Sequence, residues 1–299
     1  MYQNFDEIIE KAKAMPQKRT IVISAAGDET MMHVAQEAIR QDLCRVIMVG
    51  DAEILEGWVS QMEEPKCLEI IDEKDKAVSC LTAASLVREG RGQVLVKGNV
   101  NTSDFLRAVL NKEKGLRGRR KLNVLSCYEV PGEKKLFFMA DGGMIIAPTL
   151  EDKVDILHNC VPALHRLGIE KPKVAILAAN EKVSESMPAT VDARELCELY
   201  EKGGLPEAVY EGPIAFDVAV NPKAAQKKGI DSRVSGDVDL FLVPSIETGN
   251  CLGKAIGYYA KGTMAGLVLG ATHPVIMSSR AASLRGKITS IAWALLTCE

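Results

Sequence analysis

The sequence carries almost no net charge: 37 Lys and Arg stand against 40 Asp and Glu, a formal charge of −3. Without a basic field it has nothing to neutralise a run of phosphates, so a protein that tracks nucleic acid is not expected. An apolar leader and a membrane-spanning run are also missing. Met1 to Arg19 is charged and broken by Pro16, which suits neither a signal core nor a spanning helix. The expectation is a cytoplasmic protein with no membrane partner. Cys44, Cys67, Cys80, Cys127, Cys160, Cys197, Cys251 and Cys298 form no C-x-x-C pair; most read as small buried thiols, and Cys251 alone invites a functional reading, following Thr248-Gly249-Asn250 near a helix start where a thiolate is stabilised. His33, His158, His165 and His273 show no H-x-x-x-H spacing, so no metal site is expected. Nucleotide fingerprints are lacking too. The first strand-like run leads into Ala26-Gly27-Asp28-Glu29 rather than G-x-G-x-x-G, and no G-x-x-x-x-G-K-[ST] occurs.

What is present is a well-patterned globular chain. With 47% apolar and 26% charged residues over 299 positions, it suits one large or two medium domains. Thr20 to Ala25, Arg45 to Val49, Cys67 to Ile71 and Val94 to Lys97 are short, apolar and β-branched, and helix-length patterns separate them. That alternation predicts an α/β fold with a mostly parallel sheet. Leu122 to Glu129 and Lys135 to Ala140 flank Pro131-Gly132 as a hairpin, a natural place to change domains. A second series follows: a helix over Leu150 to Leu167, a strand over Val174 to Ala178, a helix over Ala189 to Lys202, then strands at Ala208 to Tyr210 and Leu240 to Val243.

Ligand-type residues concentrate in the last quarter. Thr248-Gly249-Asn250 opens one helical pattern, and His273 to Arg280 leads from a strand-like run into another. Beyond Ser279-Arg280, the residues Leu284, Ile288, Ile291 and Leu295 predict an amphipathic helix with Arg280 in its first turn. A helix start presents free N–H groups and a positive dipole end, and a hydroxyl and a guanidinium there suit a phosphate. The same pair also reads as an ordinary cap and a surface arginine. Glycine turns follow several strands: Lys97-Gly98-Asn99 with Thr102, Asp141-Gly142-Gly143, Glu211-Gly212-Pro213, and Glu247 to Asn250. Ligands collect at the carboxyl ends of strands in open α/β sheets, although backbone geometry alone accounts for any one such glycine.

These segments resemble the phosphate butyryltransferases and their relatives, the phosphate acetyltransferases. Lys97 to Thr102, Phe105 to Asn111 and Gly115-Leu116-Arg117 are similar to the family's first half. Asp141 to Leu150, Met187 to Thr190 with Asp192-Ala193, Gly212-Pro213 with Asp217, Gly236-Asp237, Val243-Pro244 with Glu247 to Asn250, and Ser279-Arg280 are similar to its second, in order. The resemblance implies reversible transfer of a short acyl group between coenzyme A and inorganic phosphate, with acyl-CoA and phosphate as substrates and no permanently bound cofactor. It also implies two three-layer α/β domains with an interdomain cleft, similar to the isocitrate/isopropylmalate dehydrogenase-like fold, and a homodimer. Residues 1–137 plus 270–299 would form the first domain and 138–269 the second.

The chemistry can be set against the residues. Charge builds on the acyl carbonyl oxygen while a phosphate dianion is held, so cations and oriented N–H groups are needed. Arg280 suits the phosphoryl group and Ser279 the developing oxyanion, with Arg117 a second cation unless it belongs to the solvated run Arg119-Arg120-Lys121. Lys97 and Gly98, Thr102, Gly142, Gly212 and Pro213, and Thr248 to Asn250 are the candidate substrate contacts. Related enzymes place an aspartate just after the Ser-Arg pair, yet Ala281 to Gly286 holds none. Asp141 or Glu247 takes the thiol proton, or the thiol ionises in positive surroundings, since a free thiol has a pKa near about 8.5. Asp141 equally reads as a turn residue. A diverged enzyme on another CoA- or phosphate-bearing substrate, and a non-catalytic CoA-binding relative, remain open alternatives.

Overall fold

A computed structural model describes residues 2–60, 62, 67–279 and 282–298. The chain divides into two compact units: residues 4–119 with 265–299, and residues 1–3 with 120–264. In the first, helix α1 (Phe5–Lys13) precedes strand β1 (Thr20–Ala26), α2 (Glu29–Arg40), β2 (Arg45–Gly50), α3 (Ala52–Val59), β3 (Leu68–Asp72), α4 (Lys76–Arg88), β4 (Val94–Lys97) and α5 (Thr102–Val109). The sequence reading omits α1. Side chains of Asn4, Asp28, Asp51, Asp75 and Asn101 each accept a first-turn N–H, which fixes where these five helices begin. Ile21, Val22, Ile23 and Leu95 are fully buried. Each contributes roughly 1.5–3 kcal/mol by leaving water. Strands covered on both faces read as continuous apolar runs, and so these strands were legible in the sequence.

The second unit opens with an antiparallel hairpin, β5 (Asn123–Glu129) and β6 (Phe137–Ala140), in the register Cys127↔Phe138. Gly132 turns it with φ +88°, where a side chain would be strained. There follow α6 (Leu150–Leu167), β7 (Lys173–Leu177), α7 (Pro188–Glu201), β8 (Val209–Ile214), α8 (Phe216–Val220), α9 (Pro222–Lys227), β9 (Leu240–Leu242) and α10 (Ile246–Tyr258). Strand order is β5-β6-β9-β7-β8, with β9 parallel to both β6 and β7. Phe137 stacks on Tyr128 at 5.4 Å and meets Phe241 edge-on at 5.7 Å, which ties the hairpin to β9. Here the histidines serve the fold: His158 bonds the Gly204 carbonyl at 3.1 Å and His165 that of Glu207 at 2.8 Å.

The chain closes with β10 (Thr263–Leu269), β11 (Val275–Ile276) and α11 (Leu284–Thr297), giving the first unit the order β3-β2-β1-β4-β11-β10. β10 is antiparallel to β11, while β11 runs parallel to β4. Helix α11 corrects two expectations. It begins at Leu284 with Ser283 as its cap, so Ser279 precedes the helix instead of capping it; the expectation for Arg280 lies outside the described residues. Nor is it amphipathic: Leu284 is 46% exposed, whereas nearly every residue from Gly286 to Thr297 is buried. Contact with α1, α2 and β11 covers it on all sides, which a one-faced apolar stripe does not anticipate. Among the described residues no helix is long and apolar enough to cross a membrane.

Candidate active site

In the first unit the candidate residues gather at the carboxyl ends of parallel strands. Pairing of Val275 with Leu95 and Ile276 with Val96 makes β4 and β11 neighbours, so the chain leaves adjacent strands toward Lys97-Gly98 and toward Met277-Ser278-Ser279. β1 lies on the other side of β4, in the register Ser24↔Lys97. Gly98 is required there. Its N–H donates to the Ser24 carbonyl at 3.0 Å, and a Cβ would lie 2.2 Å from that oxygen and 2.7 Å from the Ala25 oxygen. The next amide, Asn99, donates to Ala25 at 3.0 Å, and Ala25 is itself held at φ 45°. Buried Ser79 fixes that bend: its hydroxyl accepts from the Ala25 N–H at 2.8 Å and donates to the Val49 carbonyl at 2.8 Å. Three strand ends are thereby tied into one rigid edge. Thr102 is exposed at the first position of α5, and Ser279 is exposed, its carbonyl accepting from Ala282 at 3.0 Å. Arg280 lies outside the described residues.

Arg117 is displayed by a built loop. Leu116 before it is fully buried, donating to Val109 at 2.7 Å and accepting from Thr272 at 2.9 Å. Gly118 after it packs so closely that a Cβ would lie 2.0 Å from the Gly270 oxygen. Arg117 itself is exposed and forms no ion pair among the described residues. Lys121, by contrast, pairs with Asp152. Part of the basic run is therefore committed to structure while Arg117 stays available to a ligand. Burial holds the half-buried His273 imidazole below its ordinary range, which keeps it neutral near neutral pH.

In the second unit the structure joins two of the glycine turns. Gly142 and Gly249 meet backbone to backbone: a Cβ on Gly249 would lie 2.5 Å from the Gly142 Cα. Asn250 Nδ2 donates to the Gly142 carbonyl at 3.4 Å, and the Ile246 N–H donates to Ile146 at 3.1 Å. Helix α10 starts two residues before Thr248, capped by Ser245, so Thr248, Gly249 and Asn250 lie within its first turn and a half instead of opening it. Thr248 and Asn250 are exposed and Gly249 is buried.

Asp141 organises this loop. Its Oδ1 accepts from Gly143 at 2.8 Å and Met144 at 3.1 Å, its Oδ2 from Ile145 at 3.0 Å, and it is 1% exposed. Burial pushes its carboxyl above the ordinary range, against the opposing pull of the loop N–H groups. A carboxylate so enclosed has little room to receive a proton from a substrate thiol. Gly212 and Pro213 lie elsewhere, on β8 at the end of the strand order and three strands from β6, about 14 Å at ordinary spacing. A Cβ on Gly212 would lie 2.7 Å from the Ile176 Cβ, so its smallness serves packing of β8 on β7. Pro213 costs no ladder bond on an edge strand. The sequence reading missed Ser79, because a serine inside a helix pattern carries no signal of the two strand ends it joins.

Comparison with known proteins bears on the same segments. Residues 70–295 match the family described as "Phosphate acetyl/butaryl transferase". The chain is 36% identical over 297 residues to phosphate butyryltransferase of Clostridium beijerinckii, covering 99% of this chain and 98% of that protein. It is 33% identical over 291 residues to phosphate acetyltransferase of Thermotoga maritima, covering 96% and 97%. A crystal structure of a branched-chain phosphotransacylase from Enterococcus faecalis V583 superposes with a TM-score of 0.83 at 28% identity, over 93% of this chain and 98% of that one. Matching along nearly its whole length, with strand-end turns and a Ser-Arg pair in the family's order, the chain belongs to the phosphate acetyl/butyryl transferase family.

Proposed function

We propose that this acyltransferase moves a short acyl group, butyryl or acetyl, reversibly between coenzyme A and inorganic phosphate, by direct attack within a ternary complex. Family membership carries the reading, and the β4–β11 register supports its geometry by ending both strands side by side at Lys97-Gly98 and Ser279. Arg280 would take the phosphoryl group through a bidentate fork, and Ser279 would donate to the oxyanion that forms on the acyl carbonyl. Arg117 would supply a second cation, and Lys97, Gly98 and Thr102 would contact the substrate at the strand ends. Gly142 with Thr248, Gly249 and Asn250 would offer neutral donors to the rest of the substrate, while Gly212 serves the packing of β8 on β7. No acyl-enzyme is required, since no Ser-His-Asp arrangement argues for one. Asp141 acts by holding the 141–146 loop in this reading, and the thiol ionises among the cations without a dedicated base.

The proposal extends to a two-domain arrangement of the isocitrate/isopropylmalate dehydrogenase-like kind, to a cytoplasmic setting and to a homodimer. Tyr258 and Tyr259, 72% and 90% exposed at the end of α10, support the last by offering an uncharged aromatic surface to a second copy. The test is phosphate-dependent release of CoA thiol from acetyl-, propionyl- and butyryl-CoA, comparing wild type with Arg280→Ala and Ser279→Ala. Release that needs phosphate and falls at least about 100-fold in both variants is expected, the scale of losing one oxyanion donor. CoA binding without any thiol release would favour the binding-protein alternative, for which the missing aspartate between Ala281 and Gly286 is the motive.

A further inference from the structure

Helix α10 shows solvent a face with almost no charge. Only Gly249 of its 13 residues is buried, and only Glu247 and Lys254 are charged. Close packing sets its inner side. A Cβ on Gly249 would lie 2.5 Å from the Gly142 Cα and one on Gly253 2.5 Å from the Tyr128 hydroxyl, while Leu252 and Ile256 rest on the core of the second unit. At about 100° per residue, the opposite side carries Glu247, Cys251, Lys254 and Tyr258, an exposed stripe at steps of four, three and four. Thr248 and Asn250 lie off that stripe, one on each side of it. Surface helices ordinarily keep charged residues outward, so a stripe of this kind suits burial by a partner.

The two ends of the stripe are complementary to each other. Tyr258 and Tyr259 close the helix at 72% and 90% exposure. At the other end stands Ile146, 68% exposed, whose carbonyl takes the Ile246 N–H at 3.1 Å and whose loop Asp141 anchors through the Ile145 N–H at 3.0 Å. Among the described residues these three are the most exposed of the large apolar side chains. Charge is ordered likewise, with Glu247 in the first turn and Lys254 two turns on along the same side. Neither enters an ion pair among the described residues.

We propose that α10 is the self-association surface of this chain, a second copy lying antiparallel against it across a two-fold axis beside Cys251. The inference rests on the homodimer reading above and gives it a surface and a register. A two-fold exchanges the ends, so each Glu247 faces Lys254 of the other copy and each Ile146 faces its tyrosines. A parallel pairing would set Glu247 on Glu247 and Lys254 on Lys254, and like charges so placed are costly. What the stripe lacks at each end, a second copy supplies.

The test is a charge exchange read by sedimentation equilibrium of the full chain. Lys254→Glu and Glu247→Lys should each raise the dimer Kd roughly 10- to 100-fold, because two like-charge contacts replace two opposite ones. The double variant carrying both changes restores opposite charges across the axis and should recover most of that loss, which a residue acting only within its own chain would not do. Thermal unfolding of each variant checks that the exposed substitutions leave the fold intact. In wild type, labelling of Cys251 should slow as protein concentration rises, yet stay ahead of the core thiols, since the dimer parts before the core opens. A dimer whose Kd is unchanged in both single variants, with Cys251 labelling independent of concentration, would overturn the α10 surface and leave the homodimer reading standing. A wild type that stays monomeric at every concentration would overturn both and give the stripe to another partner. Phosphate-dependent thiol release by the same samples reports on the acyltransferase reading separately from either result.

Discussion

Replacing Asp141 by alanine and by asparagine tests whether this carboxylate builds the 141–146 loop or takes a proton from the substrate. Three N–H groups converge on it at 2.8–3.1 Å. A hydrogen bond to a charged partner contributes about 1.5–3 kcal/mol, but removing the carboxylate also relieves its burial, and the Gly143 amide, on an exposed residue, can turn to water. The net loss for Asp141→Ala should be about 2–4 kcal/mol, read as a lowered urea midpoint with an unchanged slope. Asp141→Asn keeps one oxygen for Gly143 and Met144 and turns an NH2 toward Ile145, so about half that loss is expected. The pH dependence has a definite sign. Burial raises the folded pKa above the unfolded value near 3.8, so the native state holds the extra proton between the two. Wild type should therefore lose stability as pH rises through that window, and the asparagine variant should lack this component. Activity at the midpoint-corrected temperature should fall mainly through KM. A variant of wild-type stability whose kcat falls at least about 1,000-fold with KM unchanged, and whose pH-rate profile loses its acid limb, would refute the loop role and make Asp141 the base.

Other measurements follow from the same geometry. Gly98→Ala forces a methyl within 2.2 Å of a backbone oxygen, and should cost at least about 1–3 kcal/mol and disable catalysis together with stability. Arg117→Ala should keep stability within about 0.5 kcal/mol yet raise the KM for phosphate, while Arg119→Ala changes neither; equal effects of the two would return Arg117 to the solvated run. Thiol titration of the native protein should label the exposed Cys251 first and leave Cys44, Cys127 and Cys160 unlabelled until unfolding, because burial pushes the Cys44 thiol up to about 12 and the other two upward as well. CoA should slow labelling of Cys251 if the neighbouring Thr248-Gly249-Asn250 turn holds it, and an unaltered rate would remove that turn from the site.

Most strands and long helices, and the family, were legible in the chain alone, while α1, α8 and α9 were not. Apolar β-branched runs such as Thr20 to Ala25 read as strands covered on both faces, and Asx residues ahead of apolar runs mark where helices begin. Tertiary structure decided which of these meet. Nothing in the chain order says that β11 lies against β4, yet that pairing makes the strands leading to Lys97-Gly98 and to Ser279 neighbours. Gly142 and Gly249 are 107 residues apart in sequence and touch backbone to backbone. The helix following Ser279 reads as one-faced from its leucines and isoleucines, but neighbours on every side bury it, including polar Lys287 and Thr289. Hydrophobic spacing reports one face of one element. Burial of a charge, enclosure of a carboxylate and the convergence of strand ends depend on distances between elements, and those exist only once the chain has folded.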